Sequence, residues 1–240
     1  MPSKNVIKQY AENGYYHIYN RGVEKRDVFV DDQDKGVFLS YLRDYLSPKE
    51  IDKLTVVLTN PAALPQEKEG AAKIMRLNNF TNEIDLLAYC LMPNHFHLLI
   101  KQNIPRAIEI FMRSLCSRYV QYFNRKYERI GGLFQGPYRA VLVKSEEQLL
   151  WLTRYIHRNP IVKSLKGESF KGLSLKVSSI PSSYKNYLDL ISQSWVKPAE
   201  ILSYFSKGSG FKSYKTFVED ENSDVVSSGY ITDVELDSGD

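Results

Sequence analysis

The sequence predicts an α+β domain built on a mostly antiparallel sheet. Three observations lead there. Two apolar runs, residues 84–92 (IDLLAYCLM) and 95–101 (HFHLLIK), are separated only by Pro93-Asn94 and read as the strands of a hairpin. A stretch from about Pro105 to Tyr127 repeats apolar residues at helical spacing. The segments around these give the order β-α-β-loop-β-β-α-β-α, which suits a sheet with helices packed against it.

Each element has its own signal. Residues 15–20 (YYHIYN) are aromatic and β-branched and end at Arg21-Gly22, a strand and a turn. Residues 34–47 place Val37, Phe38, Tyr41, Leu42 and Tyr45 at helical spacing. The run LTVVLT within 51–59 is rich in β-branched residues and reads as a strand. Residues 60–83 are polar, carry two prolines and read as a loop. In the long helix, Ile108, Phe111, Met112, Leu115, Cys116, Tyr119 and Phe123 form one apolar face, and Gly131-Gly132 is the stop. Residues 133–144 (LFQGPYRAVLVK) read as a strand. Ser145, with Glu147 and Gln148 following, caps a helix that is expected to end at Pro160.

Beyond residue 165 the pattern weakens. Residues 1–165 form the expected main domain. Residues 166–215 form a small helical extension, with helical signal at Ser182-Ser183-Tyr184 and at 198–205. Residues 216–240 form an acidic tail without structure of its own.

Hydrophobic residues make up 43% of the chain and charged residues 25%, the composition of a globular domain. No apolar run approaches the ~20 residues of a membrane span. The first residues, MPSKNVIKQYAENG, lack the apolar core of a secretory signal. Cys90 and Cys116 have no CxxC spacing and read as reduced core thiols, so a cytoplasmic protein is expected. The net charge of +4 is uneven. Residues 216–240 hold eight of the 28 acids and no Lys or Arg, which leaves 32 basic against 20 acidic residues, +12, on residues 1–215. A basic body of this kind suits a polyanionic partner.

Two of the four histidines sit in PNHFHLLI, residues 93–100. In a strand, residues two apart share a face, so His95 and His97 project together while Phe96 and Leu98 point the other way. Two imidazoles on one face make a two-point metal clamp, although HxH alone is a weak pattern. A site needs further groups, and the segment RYIHRNP, residues 154–160, supplies them. Tyr155 and Asn159 lie one helical turn apart on one face. An amide oxygen suits Mg²⁺ or Mn²⁺. A tyrosine beside a metal-bound phosphate can act as a nucleophile. From spacing alone, a core tyrosine and a helix-capping asparagine remain the simpler reading.

The combination resembles a known family. PNHFHLL is similar to the HUH motif (histidine, bulky hydrophobe, histidine) of the IS200-like single-tyrosine transposases. YHIYNRG resembles that family's first strand and turn, and NRKYERIGGLFQGPYRAVLV its helix end and following segment. RYIHRNPIVKSL resembles a segment of the subgroup associated with repetitive extragenic palindromes. The likeness spans roughly residues 12–188. It implies a ferredoxin-like or RRM-like antiparallel sheet with helices packed on one side. It implies that His95, His97 and Asn159 hold a divalent metal, Mg²⁺ or Mn²⁺, and that Tyr155 attacks single-stranded or hairpin DNA to leave a 5′-phosphotyrosine link and a free 3′-OH. A homodimer is among the assemblies it allows. The family often carries a basic residue where this chain has Pro137, with Arg139 two positions on.

For DNA contact the sequence offers Asn20 and Arg21 in the first turn, and a stripe of Arg113, Arg118, Arg125, Lys126 and Arg139. Tyr119, Tyr122 and Tyr138 are the other tyrosines weighed as nucleophile; none has an Asn or Gln four residues on in matching context. His17 on the first strand either lines the site or packs, with packing expected, and His157 is expected to be structural or exposed. Two other function classes stand beside the nuclease. One is a domesticated hairpin-DNA-binding protein without cleavage activity, for which the full set of four groups is unnecessary. The other is a zinc hydrolase using His95 and His97, which requires a third His, Asp or Cys ligand and survives loss of Tyr155.

Overall fold

The computed structural model describes residues 10–164, 180–206 and 213–220. Strand β1 (Tyr15–Arg21) is followed by α1 (Asp32–Leu46), α2 (Ile51–Thr59) and α3 (Pro65–Arg76). The hairpin β2 (Ile84–Met92) and β3 (His95–Gln102) comes next, then α4 (Ala107–Lys126), β4 (Arg139–Leu142) and α5 (Glu146–Ser164). Three short helices close the described chain: α6 (Tyr184–Tyr187), α7 (Ala199–Ser206) and α8 (Tyr214–Glu219). The four strands pair antiparallel in the order β2-β3-β1-β4. That is the β-α-β-β-α-β arrangement of ferredoxin-like folds, so the expected fold class holds.

The two faces of the sheet bury different layers. Tyr16, Ile18, Phe96, Leu98 and Ile100 face α1 and α4 and share one core with Phe38, Leu42, Phe111, Met112, Leu115 and Tyr119. A capping box between Asp31 and Asp34 starts α1. The alternate residues, Leu87, Cys90, Met92 and Leu99, share a second core with Leu149, Leu152 and Ile156 of α5 and with Tyr184, Tyr187, Tyr214 and Phe217. Helices are therefore not confined to one side. The two crossover helices take one face, and α5 with the C-terminal helices takes the other. Burial on both faces explains why β2 is an unbroken apolar run.

The described part of the C-terminal extension also closes a sheet edge. Leu91 N donates to Pro181 O at 3.0 Å, Ser183 N to Tyr89 O at 3.0 Å, and Lys197 N to Leu86 O at 2.8 Å. These bonds satisfy the outer edge of β2, which is otherwise open to strand addition.

Five local expectations need correction. LTVVLT is helical, within α2. Its side chains lie largely exposed in a pair with α3, and with no sheet partner its β-branched residues follow the local helix. Residues 65–76 form α3 rather than loop, started by Pro65 at the first helical position and by Glu67, whose Oε2 accepts from Leu64 N at 2.8 Å. Strand pairing in 133–144 is confined to Arg139–Leu142 apart from a Gly22–Phe134 bridge. Helix α5 starts at the expected Ser145 cap, whose Oγ accepts from Gln148 N at 3.1 Å, but continues through a buried Pro160 to Ser164. Residues 216–219 of the acidic tail lie in α8, anchored by buried Phe217 and Val218; residues 221–240 fall outside the described residues.

Candidate active site

The turn that presents the two histidines is built by the segment after β1. Val28 N and Phe29 N both donate to Pro93 O, at 2.8 and 2.9 Å, and Gly22 N donates to Asn94 O at 2.8 Å. Gly22 is required at that approach, because a Cβ there would lie 2.1 Å from Arg26 O. The register then fixes the neighbours. Tyr19 pairs with His97 and Arg21 with His95 across β1–β3. Cys90 and Met92 flank them on β2, and Arg139 pairs with Tyr19 on β4. Directly paired residues share a face. One row therefore reads Cys90, His97, Tyr19, Arg139, and the row beside it Met92, His95, Arg21.

The rings of His95 and His97 lie 4.8 Å apart, edge to face. Each has its Nδ1 engaged. His95 Nδ1 meets Asn94 Oδ1 at 2.6 Å, and His97 Nδ1 meets Nε2 of His17 at 3.0 Å. His95 retains 7% of its surface, while His97 and His17 are fully buried. Burial pushes the His17 imidazolium down to about 3, so this ring is neutral at ordinary pH.

Helix α5 brings Tyr155 onto the same group. Its ring stands edge-on, 5.6 Å from His97 and 6.4 Å from His17 between centroids. Asn159, one turn on, donates through Nδ2 to Tyr155 O at 3.3 Å, so its amide lies back along the face that carries Tyr155. The residues between them turn to the C-terminal extension. Arg154 Nε donates to Phe217 O at 2.7 Å, and Arg158 to Asp220 O at 3.2 Å. His157 is buried between Tyr214 Oη (2.6 Å) and Ser183 Oγ (2.8 Å), so it is structural and not exposed.

The candidate DNA contacts divide between the two faces. Arg21 and Arg139 lie on the histidine face, and Arg139 is exposed. Asn20 pairs with Phe96 on the opposite face and is buried, its amide donating to Gly136 O at 3.1 Å and accepting from Arg21 N at 2.9 Å. Arg113 and Arg125 are exposed on α4, behind the sheet. Arg118 is bound to Asp44 at 3.0 Å and stacks 3.7 Å over the Tyr41 ring. Lys126 is held by Asp31 and Asp34 at 2.7–2.8 Å. The helical stripe read from sequence thus does not converge with the histidines. Its spacing was set by packing on α1.

The competing tyrosines are committed elsewhere. Tyr119 Oη donates to Val28 O at 2.6 Å, Tyr122 Oη to Asp34 at 3.0 Å, and Tyr138 shares a 2.7 Å hydrogen bond with Tyr10. Burial, then the Asp34 hydrogen bond, pushes the Tyr122 phenol up to about 12. Two further residues lie near the histidines: His17, for which the sequence favours packing over lining the site, and Tyr19, which the sequence reading of the site does not include. His17 and Tyr19, the latter 6.2 Å from His97, alternate along β1. Their period of two was visible, but which strand lies beside β3 was not.

The nitrogens of His95 and His97 and the amide oxygen of Asn159 are, as a donor set, of the mixed kind that suits Mg²⁺ or Mn²⁺. Among the described residues, no group of three His, Cys, Asp or Glu side chains is arranged to hold an ion, so the third ligand of the zinc-hydrolase reading has no candidate there. No helix among them is long and apolar enough to cross a membrane.

An antiparallel sheet thus carries two neighbouring histidines beside a tyrosine-bearing helix. The family model described as "Transposase IS200 like" matches residues 65–159, which include the β2–β3 hairpin and Tyr155. Over those residues the chain is similar to the IS200-like transposases. No curated protein matches it. Two solved structures are similar to it. One is a REP-associated tyrosine transposase bound to a REP hairpin, at 10% identity and a TM-score of 0.47, over 81% of this chain and 98% of that one. The other is a transposase candidate from Deinococcus radiodurans, at 19% identity and a TM-score of 0.34, over 65% and 96%. At these values neither likeness carries a function to this chain.

Proposed function

We propose that this protein is a metal-dependent, single-tyrosine nuclease and strand transferase acting on single-stranded or hairpin DNA, as in the transposases associated with extragenic palindromes. Tyr155 is the nucleophile. His95, His97 and Asn159 hold the cation. The observation that carries this reading is the placement of the Tyr155 ring 5.6 Å from His97, with His95 a further 4.8 Å along the same face.

The chemistry follows from these groups. The Tyr155 Oη loses its proton and attacks a backbone phosphorus. The P–O3′ bond breaks, the 3′ oxygen takes up a proton, and the 5′ phosphate remains on the tyrosine. One phosphodiester replaces another, so reversal by a free 3′-OH rejoins a strand without ATP. Phenol, with a pKa near ~10, is a weak nucleophile at neutral pH; a bound cation supplies the help, polarising the phosphate and stabilising the charge that develops. Packing of α5 on the sheet holds Tyr155 in place, so little orientation is left to be gained at reaction. Arg21 and Arg139, on the same face, take the phosphates that flank the scissile bond.

A covalent-adduct assay tests this. Labelled hairpin DNA from around the protein's own gene is incubated with the full chain and Mg²⁺ or Mn²⁺ and run on denaturing gels. A retarded band that requires metal, disappears with EDTA and is absent from Tyr155→Phe and His95→Ala supports the proposal. Tight hairpin binding with no band under any metal would favour the binding-only reading.

A further inference from the structure

The two histidines of the pair are supported in parallel ways, and one support is unusual. Asn94 Oδ1 can only accept a hydrogen bond, so His95 keeps its proton on Nδ1 and its lone pair on Nε2. His97 Nδ1 faces a second imidazole, Nε2 of His17, at 3.0 Å. That partner can accept or donate, so it decides which nitrogen of His97 carries the proton. Both rings are fully buried, and no partner among the described residues meets His17 Nδ1. A buried imidazole with one nitrogen left over is retained against its desolvation. An apolar side chain would fill the same space in β1 without that penalty.

We propose that His17 is a positioning residue of the site, its Nε2 accepting the Nδ1 proton of His97 so that His97 presents Nε2 to a divalent cation. The inference rests on the metal-binding reading above and assigns the orientation within it. Metal-bound histidines regularly donate their second ring N–H to such a partner, and its removal weakens the metal. His17 sits on the central strand β1, two residues from Tyr19, and its ring also contacts Tyr155 at 6.4 Å. One buried side chain thus supports both a ligand and the nucleophile.

The test uses the full chain without DNA, so that activity is not the readout. Mn²⁺ affinity is measured by titration calorimetry for wild type, His17→Phe, His17→Gln and His95→Ala. His17→Phe should bind about 10–100-fold more weakly. His17→Gln, whose amide oxygen can accept the same proton, should recover most of the loss. In parallel, nitrogen NMR of the wild-type imidazoles should place the His97 proton on Nδ1; this arm needs no variant to fold. Equal Mn²⁺ binding by wild type and His17→Phe, or a His97 proton on Nε2, overturns the inference. Wild type that binds no Mn²⁺ overturns the metal reading of the site instead, and the NMR arm still decides the tautomer.

Discussion

His157 and Tyr214 are hydrogen-bonded at 2.6 Å, which ties the helix that carries Tyr155 to a helix more than fifty residues further along the chain. The other nitrogen of His157 meets Ser183 Oγ at 2.8 Å. The helix that carries Tyr155 is thereby clamped from behind, while Tyr155 on its front meets His97 and His17.

That clamp makes stability fall in acid. Burial pushes the His157 imidazolium down to about 3 from an ordinary value near 6.5. The unfolded chain therefore binds a proton between those values that the folded chain does not, and stability rises with pH across that window and levels off above it. The phenols around it, Tyr184, Tyr187 and Tyr214, are all pushed up by burial and stay neutral throughout. His157→Gln should be less stable than wild type at pH 7.5 and lose less on going to pH 5. Urea denaturation at the two pH values checks this, and parallel pH slopes for the two proteins would contradict it.

Breaking the Asp34 network should unfold the α1–α4 corner without touching the site. Burial disfavours the Asp34 carboxylate, but Lys126, Tyr127, Val30 N–H and Tyr122 outweigh it and hold its pKa low. Asp34→Ala leaves Lys126 and two phenols without this acceptor. A loss of about 2–4 kcal/mol is expected by chemical denaturation. A change under about 0.5 kcal/mol would place the network among weak surface contacts.

The basic residues should separate by face. Arg139→Ala should weaken binding to hairpin DNA and reduce the steepness of its salt dependence by about one phosphate's worth, with no change in sequence preference. Arg118→Ala should leave DNA affinity unchanged and lower stability by about 1–2 kcal/mol, through loss of Asp44 and of the stack on Tyr41. Salt-dependent anisotropy titrations and thermal unfolding of the two variants distinguish the roles. The reverse pattern would move the DNA path to the α4 side.

Much of this arrangement was written in local pattern. The β2–β3 hairpin, the long α4 and the Ser145 cap follow from apolar runs, periodicity and capping residues. The HxH pair could be put on one face by strand geometry alone. What local pattern could not supply was tertiary. LTVVLT has strand-like residues but no strand to pair with, so it is helical. Pro65 and Pro160 look alike as breakers, yet one opens a helix and the other is buried inside one. The basic residues of α4 share a helix with an apolar face, and only the sheet order shows that this face turns α4 away from the histidines. His17 enters the site for the same reason: β1 is the central neighbour of β3, and no spacing within the sequence states that pairing.

Two tyrosines flank His97, Tyr155 at 5.6 Å and Tyr19 at 6.2 Å, so the identity of the nucleophile is the most direct point of test. The covalent adduct formed with hairpin DNA and Mn²⁺ is digested with nuclease and protease, and the peptide carrying the nucleotide is sequenced by mass spectrometry. The account predicts a 5′-phosphate ester on Tyr155 alone, retained in Tyr19→Phe and lost in Tyr155→Phe. A nucleotide on Tyr19 or any other tyrosine, or an adduct that survives Tyr155→Phe, would contradict it.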